Sequence, residues 1–185
     1  MAGRREIEAL FADFGFSDFA WTDPQEIAVS EWVRMKCRYG CALHSHRVSC
    51  PPNTPTVAEC RNFIREYAEA AILHFQMKIT GPVDSTNNKY LNKWYTQVNT
   101  KLFELERELF FRGYEKAFAF SIGPCTFCLD CKENKANCAQ PIMVRPAPES
   151  FGVEVFTMAR KHGFPINPLR DYHEQINSFS LLLLE

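Results

Sequence analysis

Eight cysteines stand in a chain of 185 residues, and four of them crowd one stretch. It reads Cys125-Thr-Phe-Cys128-Leu-Asp-Cys131, with Cys138 following after six intervening residues. The C-x2-C-x2-C spacing puts three thiolates on one tight loop around one small space. Structural zinc is usually held by two separated pairs of ligands instead. A cubic iron–sulfur cluster offers separate iron corners, and a loop wrapped around one cube meets them in turn, as in the bacterial ferredoxin run. The longer arm that follows lets Cys138 return to the fourth corner. These four residues are therefore expected to hold one [4Fe–4S] cluster, with zinc as the rival and unligated packing thiols as the plain alternative. Lys132 and Lys135 lie in the same loop, where they offset the charge of a four-thiolate cluster or simply face water.

The other four cysteines form a looser group, Cys37-x3-Cys41-x8-Cys50-x9-Cys60. Its spacing alone specifies no cofactor. Pro51, Pro52 and Pro55 follow Cys50, fix extended backbone and forbid a helix. Such a rigid loop holds ligand geometry before a metal arrives. A second iron–sulfur cluster on Cys37, Cys41, Cys50 and Cys60 is the favoured reading, with zinc or mixed structural roles as alternatives. Cys60 decides the chemistry, because it sits one turn into a helix on the apolar side, where a small buried thiol is ordinary. If Cys60 ligates, the site is closed and suits electron transfer. If it is core, three cysteines leave one iron open to a small sulfur- or oxygen-bearing substrate, and the protein is an enzyme. His44 and His46, between Cys41 and Cys50, either replace a thiolate, donate a hydrogen bond to sulfide, or are exposed. No phosphate loop, G-x-S-x-G or H-E-x-x-H is present, and Cys37-Arg-Tyr-Gly-Cys41 lacks the third cysteine of the radical-enzyme C-x3-C-x2-C pattern. Catalytic residues stay unassigned.

The elements that must carry these residues follow from periodicity. Ile7, Leu10, Phe11 and Phe14 share one helical face over Arg4 to Phe14, and Gly15 fits its stop. Ile27, Val29 and Val33 among polar neighbours predict a strand from Glu26 to Met35 that delivers Cys37. Thr56-Val-Ala-Glu59 is a capping box, so a helix starts there and runs to about Ala70. Ala71 to Thr80 reads as a strand, ended by Gly81-Pro82, with a polar turn from Asp84 to Asn88. The longest helix, about Asn88 to Arg112, shows an apolar stripe at three- and four-residue steps. A short strand, Ala117 to Ile122, runs through Gly123-Pro124 into Cys125. Another helix covers about Phe151 to His162, with His162 placed to suit its dipole. His74 reads as a core histidine, and Ser178 to Leu184 as a buried strand. Strands alternating with helices predict an α/β or α+β fold, one layered domain over residues 1–185 with two cysteine-rich cluster loops.

Composition narrows the partners. Hydrophobic residues make up 46% of the chain and sixteen are Phe, enough for a globular core that shields a cofactor. The formal net charge is −1, without the basic excess that nucleic acid or a membrane surface demands. The N-terminus carries no apolar signal run, and no stretch approaches a membrane span. A cytoplasmic location is expected, where reduced thiols favour metal over disulfides.

The two cysteine stretches together resemble a domain-of-unknown-function family of predicted metal-binding proteins. The resemblance rests on Val33-Arg-Met-Lys-Cys37-Arg-Tyr-Gly-Cys41, on Cys50-Pro51-Pro52 with Pro55-Thr56, and on Cys125-x2-Cys128-x2-Cys131 with Cys138. Pro141-x3-Arg145-Pro146 and Gly152-Val-Glu-Val155 also match. Where members of that family carry Cys-Arg-x-Pro, this chain has Cys138-Ala-Gln-Pro141. The cysteine is kept and a neighbouring positive charge is lost. The resemblance implies metal binding and no particular reaction. The functional expectation is an iron–sulfur protein, with one or two [4Fe–4S] clusters, that transfers electrons with a redox partner protein or serves as a redox accessory. The alternatives are the open-site enzyme and a zinc-stapled interaction module.

Overall fold

The computed structural model describes residues 3–80, 85–132, 134–171 and 173–185. In chain order it contains α1 (Arg4–Phe14), β1 (Phe19–Thr22), α2 (Glu31–Gly40), α3 (Val57–Arg65), β2 (Glu69–Lys78), α4 (Ser85–Phe111), β3 (Phe118–Ala119), α5 (Val155–Lys161) and β4 (Gln175–Leu184). The strands form one antiparallel sheet in the order β1-β2-β4-β3. The fold is thus mixed α and β, as expected, and the antiparallel pairing makes it α+β.

Alternation along the two long strands explains the layering. Ala70, Ile72, Phe179, Leu181 and Leu183 face one side of the sheet, where they pack with Val57 and Ile64 of α3 and Met158 and Ala159 of α5. Ala71, Leu73, Leu182 and Leu184 face the other, against Ile7 and Phe11 of α1 and Leu102, Leu105 and Leu109 of α4. Successive side chains of a strand point to opposite faces. A sheet covered on both faces therefore needs near-continuous apolar strands, which is how Ala70 to Phe75 and Ser180 to Leu184 read.

One expectation is overturned in the segment that delivers Cys37. Residues 27–29 are extended, and Val29 bridges Val153, but Ser30 caps a helix and Glu31–Gly40 is α2. The alternation of Ile27 and Val29 ends there, and Val33 and Cys37 are spaced by four, one helical turn. The Ser30 hydroxyl and Trp32 indole N–H both donate to the Glu154 carboxylate, which pins the start of α2. Gly152, at φ +82°, lets the chain pass close beneath; a Cβ there would lie 3.2 Å from the Ser30 carbonyl oxygen. Gly152 also splits the helix expected over Phe151 to His162. A 3-10 turn, Pro148–Phe151, precedes it, and α5 follows.

The remaining differences are smaller. The chain leaves α3 at Arg65 instead of Ala70. Helix α4 already begins at Ser85, within the expected turn, while Gly81-Pro82 and Asp84 lie outside the described residues. β1 was not foreseen, being four half-buried residues at the sheet edge. β3 is short, but its pairing continues where the Phe120 N–H donates to Leu181 O at 2.8 Å. His74 is buried in the core, its ring stacked on Phe179 and hydrogen-bonded to Asp18 and Asn177. His162 caps the end of α5, but burial and then the Lys161 charge lower its pKa, against the dipole's favour for a cation.

Candidate metal centre

Three of the four looser cysteines meet. Cys37 lies on α2, Cys41 at its end, and Cys50 on the proline-braced loop. All three line one cavity of about 190 Å³, together with His44, Gly123 and Glu149. A single water needs only about 10–15 Å³ by the same measure, so the cavity has room for a group of many atoms. The loop is tied by backbone bonds: His44 N–H to Cys41 O at 3.2 Å, Ser45 N–H to Pro51 O at 2.9 Å, and Cys50 N–H to Arg47 O at 3.1 Å.

Cys60 does not join them. It lies on α3 with no exposed surface, inside the apolar layer with Val57 and Ile64. Its thiol donates to the Pro55 carbonyl at 3.5 Å and receives an Arg34 N–H at 4.0 Å. The capping box of α3 forms as expected, with Thr56 N–H on the Glu59 carboxylate at 2.8 Å and Glu59 N–H on the Thr56 hydroxyl at 3.3 Å. It starts the helix that aims Cys60 into the core.

The other four thiols are gathered by one loop. Cys125, Cys131 and Cys138 pack with Val48, Val144 and Phe127. Cys128, Cys131 and Cys138 are close enough that each disfavours ionisation of Cys125. Helix α4 holds the start of this loop. Asn99 exchanges two hydrogen bonds with the Ile122 backbone at 3.0 and 2.8 Å, and the Thr96 and Thr126 hydroxyls bond at 2.8 Å. The loop's return is held too: Ser121 N–H donates to Pro146 O at 2.9 Å, and Arg145 forms an ion pair with Glu106. Thr96, Asn99 and Glu106 are steps of three and seven along α4, so one helix face clamps the loop. Sequence reasoning missed these three; their signal was polar residues bordering an apolar stripe. Lys132 pairs with Asp130, and the Lys135 ammonium donates to Pro141 O.

The two groups share a wall. Val48 packs on the four-cysteine group, Ser49 accepts the Cys125 N–H at 3.4 Å, and Cys50 faces the three-cysteine cavity. From the other side, Gly123 and Pro124 line that cavity, and Cys125 belongs to the neighbouring group. The Arg47 guanidinium reaches across to Cys128 O at 3.4 Å.

Burial favours the neutral thiol at three of these cysteines. Burial pushes Cys37 and Cys125 up and Cys50 up to about 11. Ligation therefore has to displace protons. Arg34 opposes this rise at Cys37. Its amino groups donate to Thr54 and Pro55, while its Nε is buried with no hydrogen-bond partner. A cationic group with a spare donor near Cys37 fits an anionic thiolate-bound centre. Glu149 borders this cavity and a second one of about 330 Å³ lined also by Tyr95 and Ser178. Although the residue keeps exposed surface, burial around its carboxyl raises its pKa. All eight cysteines are free thiols. Among the described residues, no three His, Cys, Asp or Glu side chains are gathered as one metal ion would need, and no helix is long and apolar enough to cross a membrane.

The family model described as "Predicted metal-binding protein (DUF2284)" matches residues 20–184. No curated protein matches the chain, and no solved structure does.

Proposed function

Because the chain belongs to the DUF2284 family of predicted metal-binding proteins, we propose that its metal is held as two iron–sulfur clusters that serve electron transfer. Cys125, Cys128, Cys131 and Cys138 would hold one, and Cys37, Cys41 and Cys50 would supply the thiolates of the other. The shared wall carries this reading: residues 48–50 and 123–125 each contribute to both sites. Neighbouring centres suit a relay between a donor and an acceptor protein. Bound clusters supply one-electron chemistry whose potential depends on charge, hydrogen bonds and solvent access. The chain's own part is to set those terms. Val48, Val144 and Phe127 pack against the four-cysteine site and shield Cys125. Arg34 places positive charge by the three-cysteine site.

A second reading is favoured by the position of Cys60. With only three thiols at the first site, and a cavity that meets a larger one at Glu149, a small substrate has both an open position and a way in. That reading makes the protein an enzyme.

Iron and acid-labile sulfide analysis of anaerobically purified protein tests the proposal. About eight irons per chain, with matching sulfide, is the expected result for two cubic clusters. Zinc without sulfide overturns it and leaves a zinc-stapled module. Cys60→Ala is expected to keep the full iron and sulfide content, and loss of one cluster's worth would return Cys60 to the ligand set.

A further inference from the structure

The first site has three thiols, yet a tetrahedral iron corner takes one protein ligand each, so its fourth donor is in question. Among the described residues that line the cavity, the side chains with a nitrogen or oxygen donor are His44, Glu149 and Ser150. Iron accepts imidazole well, whereas carboxylate suits harder ions such as magnesium, calcium and manganese. Neutral hydroxyl is weaker still as a partner for sulfide-bound iron.

The backbone delivers His44 to the thiols. Its N–H closes a turn on the Cys41 carbonyl, so ligand and imidazole ride the same turn. The next residue, Ser45, sits at φ +68°, an uncommon conformation for a side chain that is not glycine. Its N–H is anchored to Pro51 O, directly after Cys50. The turn is thus tied at one end to Cys41 and at the other beside Cys50. The ring itself is oriented: Nδ1 and the Ser45 hydroxyl lie 3.0 Å apart. Metal-bound histidines commonly use their second ring nitrogen in such a hydrogen bond, which fixes the tautomer and leaves the other nitrogen to ligate.

We propose that His44 supplies the fourth ligand of the first centre through Nε2, making it a three-cysteine, one-histidine site beside an all-cysteine one. The inference rests on the iron–sulfur reading and extends it. A neutral imidazole in place of a thiolate removes one negative charge, and histidine ligation raises the potential of an iron–sulfur centre. The first centre is therefore the more easily reduced of the two, and the pair has a direction: electrons settle on the Cys37, Cys41 and Cys50 side.

Pulsed electron paramagnetic resonance and a potentiometric titration of the anaerobic, iron-loaded protein decide this. The reduced wild type is expected to show a strong nitrogen-14 coupling, and two centres of distinct potential. His44→Ala loses the coupling. His44→Cys also loses it, keeps its iron and sulfide, and lowers the potential of the first centre towards that of the second. Glu149→Gln leaves the coupling in place. Sulfide-containing protein with no nitrogen coupling, a coupling that survives in His44→Ala, or an unchanged potential in His44→Cys overturns the assignment while the iron–sulfur reading stands. Protein without sulfide overturns both.

Discussion

A thiol with no exposed surface and a raised pKa is chemically silent, because the thiolate is the reactive form and access limits attack. Cys60 is such a thiol, fully buried and pushed up to about 11. Cys41, at the end of α2, is exposed. Iodoacetamide labelling of the metal-free protein at neutral pH, read by mass spectrometry, is expected to modify Cys41 first and Cys60 last. Early labelling of Cys60 would mean that α3 does not bury it. A second residue-scale prediction concerns Gly123, on the wall between the two cysteine groups. Its φ is +58°, and a Cβ there would lie 2.9–3.2 Å from carbons of the Tyr95 ring. Gly123→Ala is expected to cost about 1–3 kcal/mol in urea unfolding, from backbone strain and overpacking together. At this scale the four-cysteine loop was legible because its ligands are local: three thiols within seven residues leave few arrangements. The partition of Cys37, Cys41 and Cys50 from Cys60 was not. The break depends on which way α3 turns, and the spacing of cysteines carries no such information.

The elements bring their own lessons. The segment from Glu26 to Met35 reads as one strand, but the period changes after Val29 inside a window too short to separate strand from helix, and α2 begins at Glu31. Its start is decided by a distant partner, Glu154, which binds Ser30 and Trp32. Helix α3, by contrast, announces itself through Thr56 and Glu59. Thr56→Ala should destabilise the protein by about 1 kcal/mol, by analogy with other lost caps. A denaturation midpoint that does not move would show the box to be dispensable. On α4, the buried Glu106 accepts the Ala119 N–H at 2.7 Å and pairs with Arg145. Removing it leaves a guanidinium and an amide short of partners, a loss of about 3 kcal/mol for a partly buried pair. Glu106→Gln keeps an acceptor and should cost less than Glu106→Ala. A reversed order would place the value of this residue elsewhere than in its hydrogen bonds.

For the molecule as a whole, the layering was legible because two strands are apolar almost throughout, which only a sheet covered on both faces requires. Strand order was not, since antiparallel neighbours far apart in sequence leave no local mark. Cys41, Cys50, Cys125, Cys128, Cys131 and Cys138 lie outside the helices and strands, on loops held by caps and clamps more than by core, while Cys37 and Cys60 lie on α2 and α3. A metal bound at these cysteines, as proposed, would stabilise the folded state by mass action, about 2.7 kcal/mol at a hundredfold excess over Kd. Stripping it with a chelator should lower Tm. Limited proteolysis of the stripped protein should cut first within 126–143, while amide exchange stays slow in β2 and β4. Equal protection of the loop with and without metal would speak against a stabilising ligand.

One feature of the sheet also sets the order of events during biosynthesis. β4, residues 175–184, lies between β2 and β3 and pairs with both. Until those residues leave the ribosome, β2 has an unpaired inner edge and β3 has no partner. The loop after β3 then has its contacts with α4 but no completed sheet beneath it. All eight cysteines are synthesised before β4 completes the sheet, so loading of metal into the folded protein is expected to follow synthesis of residues 175–184.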